Sequence, residues 1–339
     1  MSKAKTKGKV VMTTTPALPK IMGIDVDSKY LECCIVVDKH KANASGKRIK
    51  NQKESFPGLL KWIKSEGVCQ VIMEATGGYE QKVAQYLGKH KISAYIVNPV
   101  QARDFARGLG KRAKNDRIDA FVLGRMGQVV DFPPTFQVTP LSLKLKQWII
   151  RRNQLVDMRV EEKNRMRLVE DDIKESIQTH VESLEKEIEA IKEKLEKLIK
   201  ADERLAGQKR TMKLMKGIGD ISSISLLALL PEMGYLNRKQ ITALAGLAPY
   251  DKDSGTREGK RHIWGGRFYA RKALYMPALV AIRHNENMRV FYQRLRDNGK
   301  EKKVALVAVM RKMLVQLNAM VRVFIQEEMQ KLEIPRKVS

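Results

Sequence analysis

Cysteine, acidic residues and long apolar runs are all scarce in this sequence of 339 residues. Three cysteines, two of them adjacent at Cys33 and Cys34, provide no disulfide framework and no CxxC metal site, which suits a reducing cytoplasm. The apolar runs, such as ISSISLLALL at 221–230, are shorter than the roughly 20 residues of a membrane-spanning helix, so no membrane contact is predicted. The first 20 residues lack the apolar segment of a signal peptide and are predicted to form a flexible basic arm.

The excess of positive charge points to a polyanionic partner. The chain has 65 lysines and arginines against 38 aspartates and glutamates, a formal net charge of +27. A charge of this size repels itself unless it faces a polyanion, so the sequence favours nucleic acid as the partner. Hydrophobic residues make up 43% of the chain, which is enough for stable cores, and the length predicts two or three structural units.

The first third of the chain alternates between strand and helix patterns. The apolar runs IMGIDV and YLECCIVV, separated by the polar DSK, predict a β-hairpin, to which residues 46–53 could add a third strand. Helices then alternate with strands at 69–74 and 92–97, and further helices fill 99 to about 130. This order is typical of an RNase H-like α/β fold. The proline-punctuated segment at 131–140 predicts a boundary.

Residues 142 to about 205 predict long helices with a coiled-coil seam. Its apolar residues recur alternately four and three positions apart: Ile177, Val181, Leu184, Ile188, Ile191, Leu195 and Leu198. Between 170 and 203 the chain has 12 acidic and 6 basic residues, so this segment would repel nucleic acid. The seam is predicted to hold another protomer, in a dimer or tetramer, or another part of the chain. Packing of an amphipathic helix inside its own domain is the alternative, because a helical stripe does not distinguish the two.

From residue 211 the sequence predicts a mainly helical and basic unit. RTMKLMKGIGDISSISLLALL reads as a helix, a turn at Gly217 and Gly219, and a second helix, an arrangement that offers backbone N–H groups to a phosphate. A plain helical hairpin is an equally good interpretation of this helix-hairpin-helix-like segment. Between 254 and 303 there are 13 basic and 4 acidic residues, so the positive charge is concentrated there.

Four carboxylates are predicted at one edge of the α/β sheet. Asp25 ends the first strand, Glu74 ends the strand at 69–74, and Asp116 and Asp119 share one face of the helix NDRIDAFVLGRMGQVV. Together they would supply four hard oxygen donors, which suit one or two Mg²⁺ ions acting on a phosphate. Asp27 is the rival of Asp25, and a turn or solvated carboxylate is the alternative at each position. Nearby cations would attract the nucleic-acid backbone: Arg103, Arg107, Lys111, Arg112, Lys114 and Arg117.

Ser254 lies in a glycine-rich and charged segment, GLAPYDKDSGTREGKRHIWGGRFYARKALYMP at 246–277. A serine hydroxyl attacks a phosphate only where the developing charge is stabilised and the proton is removed, and arginines with a metal could do this. On the residues alone, a Ser-Gly turn is the favoured interpretation. Ser222, Ser223 and Ser225 are better explained as residues of a helix start. The cations predicted to contact phosphate here are Arg257, Lys260, Arg261, Arg267, Arg271 and Lys272.

Several segments together resemble the insertion-sequence one-ten family of transposases. They are MGIDVDSKY, IMEATGGYE, KNDRIDA, KGIGDISSISLLALL and GLAPYDKDSGTREGKRHIWGGRFYARKALYMPAL, and they cover nearly the whole chain in order. The resemblance implies a RuvC-like domain whose DEDD metal site falls on Asp25, Glu74, Asp116 and Asp119. It also implies a C-terminal transposase domain whose nucleophilic serine falls on Ser254. Mg²⁺, a covalent phosphoserine link to DNA and a Holliday-junction-like intermediate are part of the same expectation.

The resemblance further implies a structured bridge RNA, encoded by the element, that pairs with target and donor DNA. With it, Ser254 is interpreted as the nucleophile rather than as a turn residue. The predicted organisation is then a basic arm at 1–20, a RuvC-like domain at 21–135, a linker with coiled-coil helices at 136–210, a serine transposase domain at 211–330 and a tail at 331–339. The basic arm is not part of the family pattern.

Two other functions fit the same residues. The first is a metal-dependent nuclease or junction resolvase without a covalent step, in which Ser254 is only a turn residue. The second is a non-catalytic nucleic-acid-binding scaffold whose carboxylates are structural. A protein–DNA adduct that survives denaturation separates the recombinase from the nuclease, and loss of strand cleavage without Mg²⁺ separates either enzyme from the scaffold.

Overall fold

A computed structural model describes residues 19–37, 46–110, 115–130, 132, 139–250, 259 and 261–333. Several predicted site residues lie outside these ranges: Lys111, Arg112, Lys114, Ser254, Arg257 and Lys260. The basic arm lies outside them as far as residue 18, and the tail does so from residue 334. The chain divides into two compact units, Met1–Gln137 and Val138–Ser339.

The N-terminal unit is built on one five-stranded mixed sheet. Its elements in chain order are β1 (Ile21–Val26), β2 (Tyr30–Val36), β3 (Gly46–Lys50), α1 (Phe56–Ser65), β4 (Gln70–Glu74), α2 (Glu80–Lys89), β5 (Ser93–Val97), α3 (Pro99–Gly108) and α4 (Asp116–Val129). The strand order is β3-β2-β1-β4-β5, with β1 antiparallel to β2 and parallel to β4. The predicted hairpin, third strand and RNase H-like order are therefore confirmed.

Apolar cores cover both faces of this sheet. Alternation along β1 directs Met22 and Ile24 into the core that contains residues of α1 and α2, and directs Ile21 into the core that contains residues of α3 and α4. Cys33 and Cys34 point to opposite faces of the sheet, as neighbours on one strand do. Burial raises the pKa of the Cys34 thiol to about 11, so this thiol stays protonated and unreactive at neutral pH.

Helix α4 approaches β1 so closely that only glycine fits at position 23. A Cβ atom on Gly23 would lie 1.8 Å from the carbonyl oxygen of Ala120 and 2.4 Å from the amide nitrogen of Gly124. Further along the helix, Gly127 faces the side chain of Ile21. Residue 127 of α4 lies near Ile21, at the start of β1, and residue 120 lies near Gly23, further along the strand. The first turn of α4, which precedes residue 120, therefore extends toward the carboxyl end of β1.

The C-terminal unit is mainly helical around one large apolar core. Its elements in chain order are α5 (Pro140–Arg165), α6 (Asp171–Lys200), α7 (Glu203–Lys213), α8 (Asp220–Leu229), α9 (Arg238–Leu244), β6 (Pro249–Tyr250), β7 (His262–Ile263), α10 (Phe268–His284), α11 (Glu286–Asp297) and α12 (Lys302–Glu333). The two short strands pair antiparallel. The helix, glycine turn and helix predicted from residue 211 are present as α7, the turn at 214–219, and α8.

The predicted coiled-coil segment is a helical hairpin within one chain. Helices α5 and α6 run antiparallel: Lys194 lies 4.2 Å from the ring centre of Trp148, and His180 lies 3.5 Å from Glu162. The chain reverses in the segment MRLVE at 166–170, which has no glycine or proline, so no sequence signal marks the reversal.

The seam of α6 is buried inside this hairpin. Most of the predicted seam residues, from Val181 to Leu195, are at most 5% exposed. Those from Leu184 to Leu195 share one core with apolar residues of α5. The structure therefore fills the seam within one chain, which is the intrachain alternative. A homo-oligomer formed through the coiled coil stays a prediction.

Helix α12 is a long apolar helix that the sequence pattern did not single out. In the described part of the chain it is the one helix long and apolar enough to cross a membrane, over Lys302–Lys331. Half of that apolar window is buried, and the helix contributes residues from Leu306 to Ile325 to the core of the C-terminal unit. This burial is typical of a central core helix. Arg311, Lys312 and Arg322 interrupt the apolar run, which is why run length alone overlooked it.

Candidate active site

A row of polar residues crosses the sheet at the carboxyl end of β1. The strand pairing sets Arg48 opposite Glu32 and Glu32 opposite Asp25. The last parallel pair between β1 and β4 is Ile24 with Met73. The next residues along the two strands, Asp25 and Glu74, therefore lie side by side. Directly paired residues point to the same face of a sheet. Because Asp25 is two residues beyond Gly23, this face is the one that α4 covers.

The first turn of α4 lies over this row. The Oδ2 atom of Asp116 accepts a hydrogen bond from Nη2 of Arg48 at 2.9 Å, and Nε of Arg117 donates to Oε1 of Glu32 at 3.4 Å. Asp119 follows within the same turn and is half-buried. All four predicted carboxylates thus lie at the same end of the same face of the sheet.

The side chains at this end are arranged as an ion-pair network. In the described ranges, no three acidic, histidine or cysteine side chains are grouped closely enough to hold a metal ion. Arg48 bridges Asp116 and Glu32, with its Nε 2.8 Å from Oε2 of Glu32. The four carboxylates suit a divalent cation by their chemistry, since all are hard oxygen donors at one edge of the sheet, but their side chains are not drawn together around one point. The positive charge there is supplied by arginine.

Glu32 belongs to this site although the sequence pattern did not single it out. Its side chain is only 6% exposed, and both of its carboxylate oxygens accept hydrogen bonds, from Arg48 and from Arg117. A buried carboxylate needs such partners because desolvation penalises its charge. The available signal was a lone charged residue inside the apolar run YLECCIVV.

Glu80, also outside the predicted set, holds the loop that follows Glu74. Its Oε2 atom accepts hydrogen bonds from the backbone N–H groups of Thr76 and Gly78, at 3.1 and 2.9 Å. Burial tends to raise the pKa of Glu80, but hydrogen bonds from Gln81, Thr76 and Gly78 outweigh it and keep that pKa below its ordinary value. The ionised Glu80 therefore fixes the backbone immediately after Glu74. An acidic residue in the first turn of α2 was the sequence signal.

Asp27, the rival of Asp25, is a turn residue. Its Oδ1 atom accepts hydrogen bonds from the backbone N–H of Lys29 at 2.9 Å and from the hydroxyl of Ser28 at 3.3 Å. The bond from Lys29 is the main reason that its pKa is lowered. The side chain closes the β1–β2 turn, which is the ordinary role of an aspartate at such a position.

The predicted nucleic-acid contacts divide into exposed and internally bound cations. Arg103 and Arg107 are exposed on α3, and Arg107 lies 3.4 Å from Asp104. Arg267, by contrast, makes a bidentate ion pair with Glu232, both bonds at 2.7 Å.

Two further cations, in the first turns of α10 after Arg267, are also bound within their own unit. Arg271 donates to the carbonyl oxygens of Gly246 and Gly265, and Lys272 pairs with Asp157 of α5 at 2.5 Å. Arg267 and Arg271 thus hold the fold around the start of α10, which helical spacing alone did not reveal. Their contacts with phosphate stay predictions, as does that of Arg261.

The glycine turn between α7 and α8 is held by lysine–carboxylate pairs. Asp220, the first residue of α8, lies 2.8 Å from Lys209 and 2.7 Å from Lys213. The hydrogen bonds from Lys209 and Lys213 lower the pKa of Asp220 to about 2. Gly219 is the N-cap of α8, and a Cβ added there would meet no atom, so its backbone is open to a ligand.

The chain on both sides of the Ser254 segment is described, although Ser254 is not. Tyr250 pairs with His262, so the two ends of the segment start from one short antiparallel ladder. Tyr250, whose hydroxyl makes it an alternative nucleophile to Ser254, is 44% exposed at this base. Trp264 and Phe268, which follow the segment, are also exposed aromatic residues.

Two sequence profiles of transposases match the chain. A transposase profile that carries the DEDD and IS110 labels matches residues 22–173. A second profile, described as "Transposase IS116/IS110/IS902 family", matches residues 209–293. The first contains all four predicted carboxylates, and the second contains Ser254 and the glycine turn.

Individual proteins are similar over most of the chain or over parts of it. A pilin gene-inverting protein from Moraxella lacunata is 27% identical over 310 residues, which are 89% of this chain and 95% of that protein. The protein of the same name from Moraxella bovis matches to the same extent. An uncharacterized 42 kDa protein of insertion element IS900 from Mycobacterium paratuberculosis is 34% identical over 113 residues, which are 32% of this chain and 28% of that protein.

Among solved structures, RuvC from Thermus thermophilus aligns with 34% of this chain and 99% of its own, at 13% identity and a TM-score of 0.27. The family assignment rests on the two profiles, which together cover well over half of the chain and follow each other in the order of its two units. The chain therefore belongs to the IS110 family of transposases and is a DNA recombinase.

Proposed function

We propose that this recombinase breaks and rejoins DNA through a covalent bond to Ser254, at sites selected by a structured guide RNA. Mg²⁺ held by Asp25, Glu74, Asp116 and Asp119 assists the reaction. One observation carries the metal assignment: the pairing of β1 with β4 and the packing of α4 on β1 bring four carboxylates to one end of one face. DNA as the substrate class follows from membership of the family.

The proposed step exchanges one phosphate ester for another. The hydroxyl oxygen of Ser254 forms a bond to phosphorus, and the bond between phosphorus and one deoxyribose oxygen breaks. The serine proton passes to a base, and the departing sugar oxygen takes up a proton. Rejoining is the reverse reaction with the hydroxyl of the other strand, so the phosphodiester is conserved without an external energy source.

The family indicates dependence on a divalent metal ion, and such an ion, when bound, neutralises charge on the phosphate. The proposed metal ligands are positioned by different parts of the N-terminal unit. The sheet holds Asp25 and Glu74, and Glu80 fixes the loop after Glu74. Asp116 and Asp119 come from the start of α4, where Arg48 already offers a positive charge to Asp116.

The two units of the chain have different roles in this proposal. The RuvC-like part at 21–135 holds the metal, and the serine transposase part at 211–330 supplies the nucleophile. The exposed Arg103 and Arg107 attract the DNA backbone, together with the basic residues around Ser254. The enzyme is proposed to act as a homo-oligomer whose interface uses surfaces other than the filled seam of α6.

The nucleophile is tested by trapping the covalent adduct. Wild-type protein with labelled DNA and Mg²⁺ is expected to give an adduct that survives denaturing electrophoresis, and Ser254→Ala is expected to bind DNA without forming it. Tyr250→Phe is the control and is expected to keep the adduct. An adduct that persists in Ser254→Ala assigns the attack to another residue. Strand cleavage without any adduct in wild-type protein would identify the metal-dependent nuclease instead.

The guide RNA is tested separately, because it concerns site selection rather than the chemical step. A net charge of +27 exceeds what a short recombination site needs, and it suits a protein that holds folded RNA together with two duplexes. Purified protein is expected to recombine DNA only with the RNA encoded by its element, and a changed pairing loop is expected to redirect it. Efficient site-specific recombination by protein alone contradicts this part of the proposal.

A further inference from the structure

A polar groove of about 510 Å³ lies where the turn after α7 meets the corner between α10 and α11. Three basic side chains line it: Lys216 from the turn, Arg283 from the last turn of α10 and Arg289 from α11. One carboxylate lies among them, since Glu286 is 3.6 Å from Arg289. The groove therefore carries a net positive charge.

The cations of this groove differ from those at the other end of α10. Arg267 and Lys272 are held by carboxylates of their own unit. Lys216 and Arg283 are exposed, and among the described residues their side chains make no ion pair or hydrogen bond. They are the charges that an anion from outside can reach without displacing an internal partner.

A helix start adds to the positive potential. Asn285 is the N-cap of α11, a helix of 12 residues, and its side chain accepts a hydrogen bond from the N–H of Met288 at 3.3 Å. Glu286 and Asn287, the first two residues of the helix, both line the groove. The positive end of the helix dipole thus acts on the same space as the three cations.

The position of Lys216 is fixed by the glycine that follows it. Gly217 has a φ angle of +105°, in the region that favours glycine, and a Cβ there would lie 2.8 Å from the carbonyl oxygen of Pro277 in α10. The turn therefore packs directly on α10, in the half of that helix that contains Arg283. The groove is a fixed feature of the unit rather than a chance gathering of surface lysines and arginines.

We propose that this groove binds the phosphate backbone of duplex DNA at a point away from the chemical step. The proposal rests on the DNA recombinase function, and it adds Lys216, Arg283 and Arg289 as binding residues. Three cations and a helix start match the spaced negative charges of a backbone, and the groove offers little apolar surface for a base. DNA is favoured over RNA because DNA binding follows from the family.

The length of α10 sets the spacing of this contact. The helix begins at Phe268, just after the Ser254 segment, and its 17 residues end at His284 beside the groove. At a rise of 1.5 Å per residue it spans about 25 Å. This length corresponds to about seven base pairs of B-form DNA. A duplex that lies along α10 would thus pass Phe268 at one end of the helix and reach the groove about seven base pairs further on.

The salt dependence of DNA binding tests the groove. The double variant Lys216→Gln/Arg283→Gln is compared with wild type and with Lys186→Gln, an exposed lysine of the acidic helix α6. Binding of a plain duplex of about 20 base pairs is measured by fluorescence anisotropy in EDTA, from 50 to 300 mM salt. The slope of log affinity against log salt is expected to become shallower by about two, one for each lost contact. At 0.1 M salt each contact is worth about tenfold in affinity.

The control variant is expected to keep the wild-type slope and affinity. An unchanged slope in the double variant, with an unchanged melting temperature, overturns the proposal. A shallower slope for structured RNA with no change for duplex DNA also overturns it, since the groove would then belong to RNA. Because EDTA prevents the chemical step, these results do not depend on Ser254. Failure of the groove and failure of the proposed nucleophile are therefore distinguishable.

Discussion

Around the carboxylates, two acidic residues share one arginine. Arg48 contacts Glu32 at 2.8 Å and Asp116 at 2.9 Å, but these partners differ in burial. The side chain of Glu32 is 6% exposed and needs a permanent positive neighbour, whereas that of Asp116 is 62% exposed and is already well solvated. Arg48 is thus held by Glu32, and its bond to Asp116 is the one that a metal ion or a phosphate can replace.

We therefore expect Arg48→Gln to bind divalent cations more tightly than wild type in the absence of DNA. Removing this positive charge removes its repulsion of a divalent ion held by the neighbouring carboxylates, so the affinity for the ion should rise several-fold. Mn²⁺ binding, measured by electron paramagnetic resonance, checks this. Arg48→Lys keeps the charge and is expected to show no gain.

Arg107→Gln is the second control, since Arg107 is an exposed arginine that pairs with Asp104 on α3. Equal or weaker Mn²⁺ binding by Arg48→Gln, in a protein that melts normally, would show that Arg48 does not compete with a cation at this site.

At the level of helices and strands, the sequence predicted the features that depend only on the residues of a single element. Strand alternation predicted the β1–β2 hairpin and the placement of Asp25 and Glu74 at strand ends, and a spacing of three predicted that Asp116 and Asp119 share one helix. What it did not reveal depends on partners far along the chain. Examples are Glu32, whose arginines come from β3 and α4, and the reversal after α5. Ion pairs and helix reversals depend on tertiary packing, which no local pattern records.

The close contact between α4 and β1 predicts that one methyl group added at position 23 lowers the stability of the protein strongly. In Gly23→Ala the new Cβ would lie 1.8 Å from the carbonyl oxygen of Ala120, so α4 must move away from β1. We expect a loss of about 3 kcal/mol in the unfolding free energy, as for other overpacked cores, together with loss of recombination. Chemical denaturation monitored by circular dichroism measures it. Gly58→Ala, in α1 with nothing within 4 Å of its new Cβ, is the control and should be neutral or slightly stabilising.

The lysine pairs at the start of α8 predict a stability difference that depends on pH. Hydrogen bonds from Lys209 and Lys213 lower the pKa of Asp220 to about 2, from an ordinary value of 3.8. A carboxyl group with a lowered pKa stabilises the folded state above its ordinary pKa, and this stabilisation is lost as the pH falls toward the folded value. Asp220→Asn should therefore melt at a lower temperature than wild type at pH 7.

The difference in melting temperature between Asp220→Asn and wild type should shrink as the pH falls from about 4 toward 2. Asp172→Asn, an exposed aspartate in the first turn of α6, is the control without a lysine pair. A difference that stays constant from pH 7 to pH 3 would mean that the charge of Asp220 does not stabilise the turn.

At the scale of the whole molecule, charge is unevenly divided between its parts. Residues 170–203, mostly helix α6, have 12 acidic and 6 basic residues in a chain whose net charge is +27. Much of this negative charge is used inside the hairpin and its neighbour α7: Glu187 pairs with Arg151, Glu185 with Lys163, and Glu196 with Lys209. Helix α6 thus binds cations of its own unit, and nucleic acid is expected to bind to the basic surfaces instead.

The filled seam predicts that a charge inside it unfolds the hairpin rather than separating protomers. Ile188 is 3% exposed, so Ile188→Asp would bury an unpaired carboxylate and leave a cavity. We expect the C-terminal unit to lose several kcal/mol of stability, with no well-folded species of smaller mass in light scattering. Ile173→Asp, on the same helix and 48% exposed, is the control and should change little. A folded, smaller Ile188→Asp particle would instead place the seam between chains.

The close contact of Gly23 with α4 also has a consequence for the order of folding. Among the described residues of its unit, β1 is the first strand and lies at the centre of the sheet, while α4, which covers it, is the last helix. About a hundred residues separate the two, and closing so long a segment is among the slow steps of a folding reaction. During synthesis on the ribosome, Asp25 and Glu74 can therefore come together when β1 and β4 pair, but Asp116 and Asp119 join them only when α4 docks. A nascent chain of this recombinase thus lacks two of these four carboxylates at the sheet edge until the whole N-terminal unit has been made.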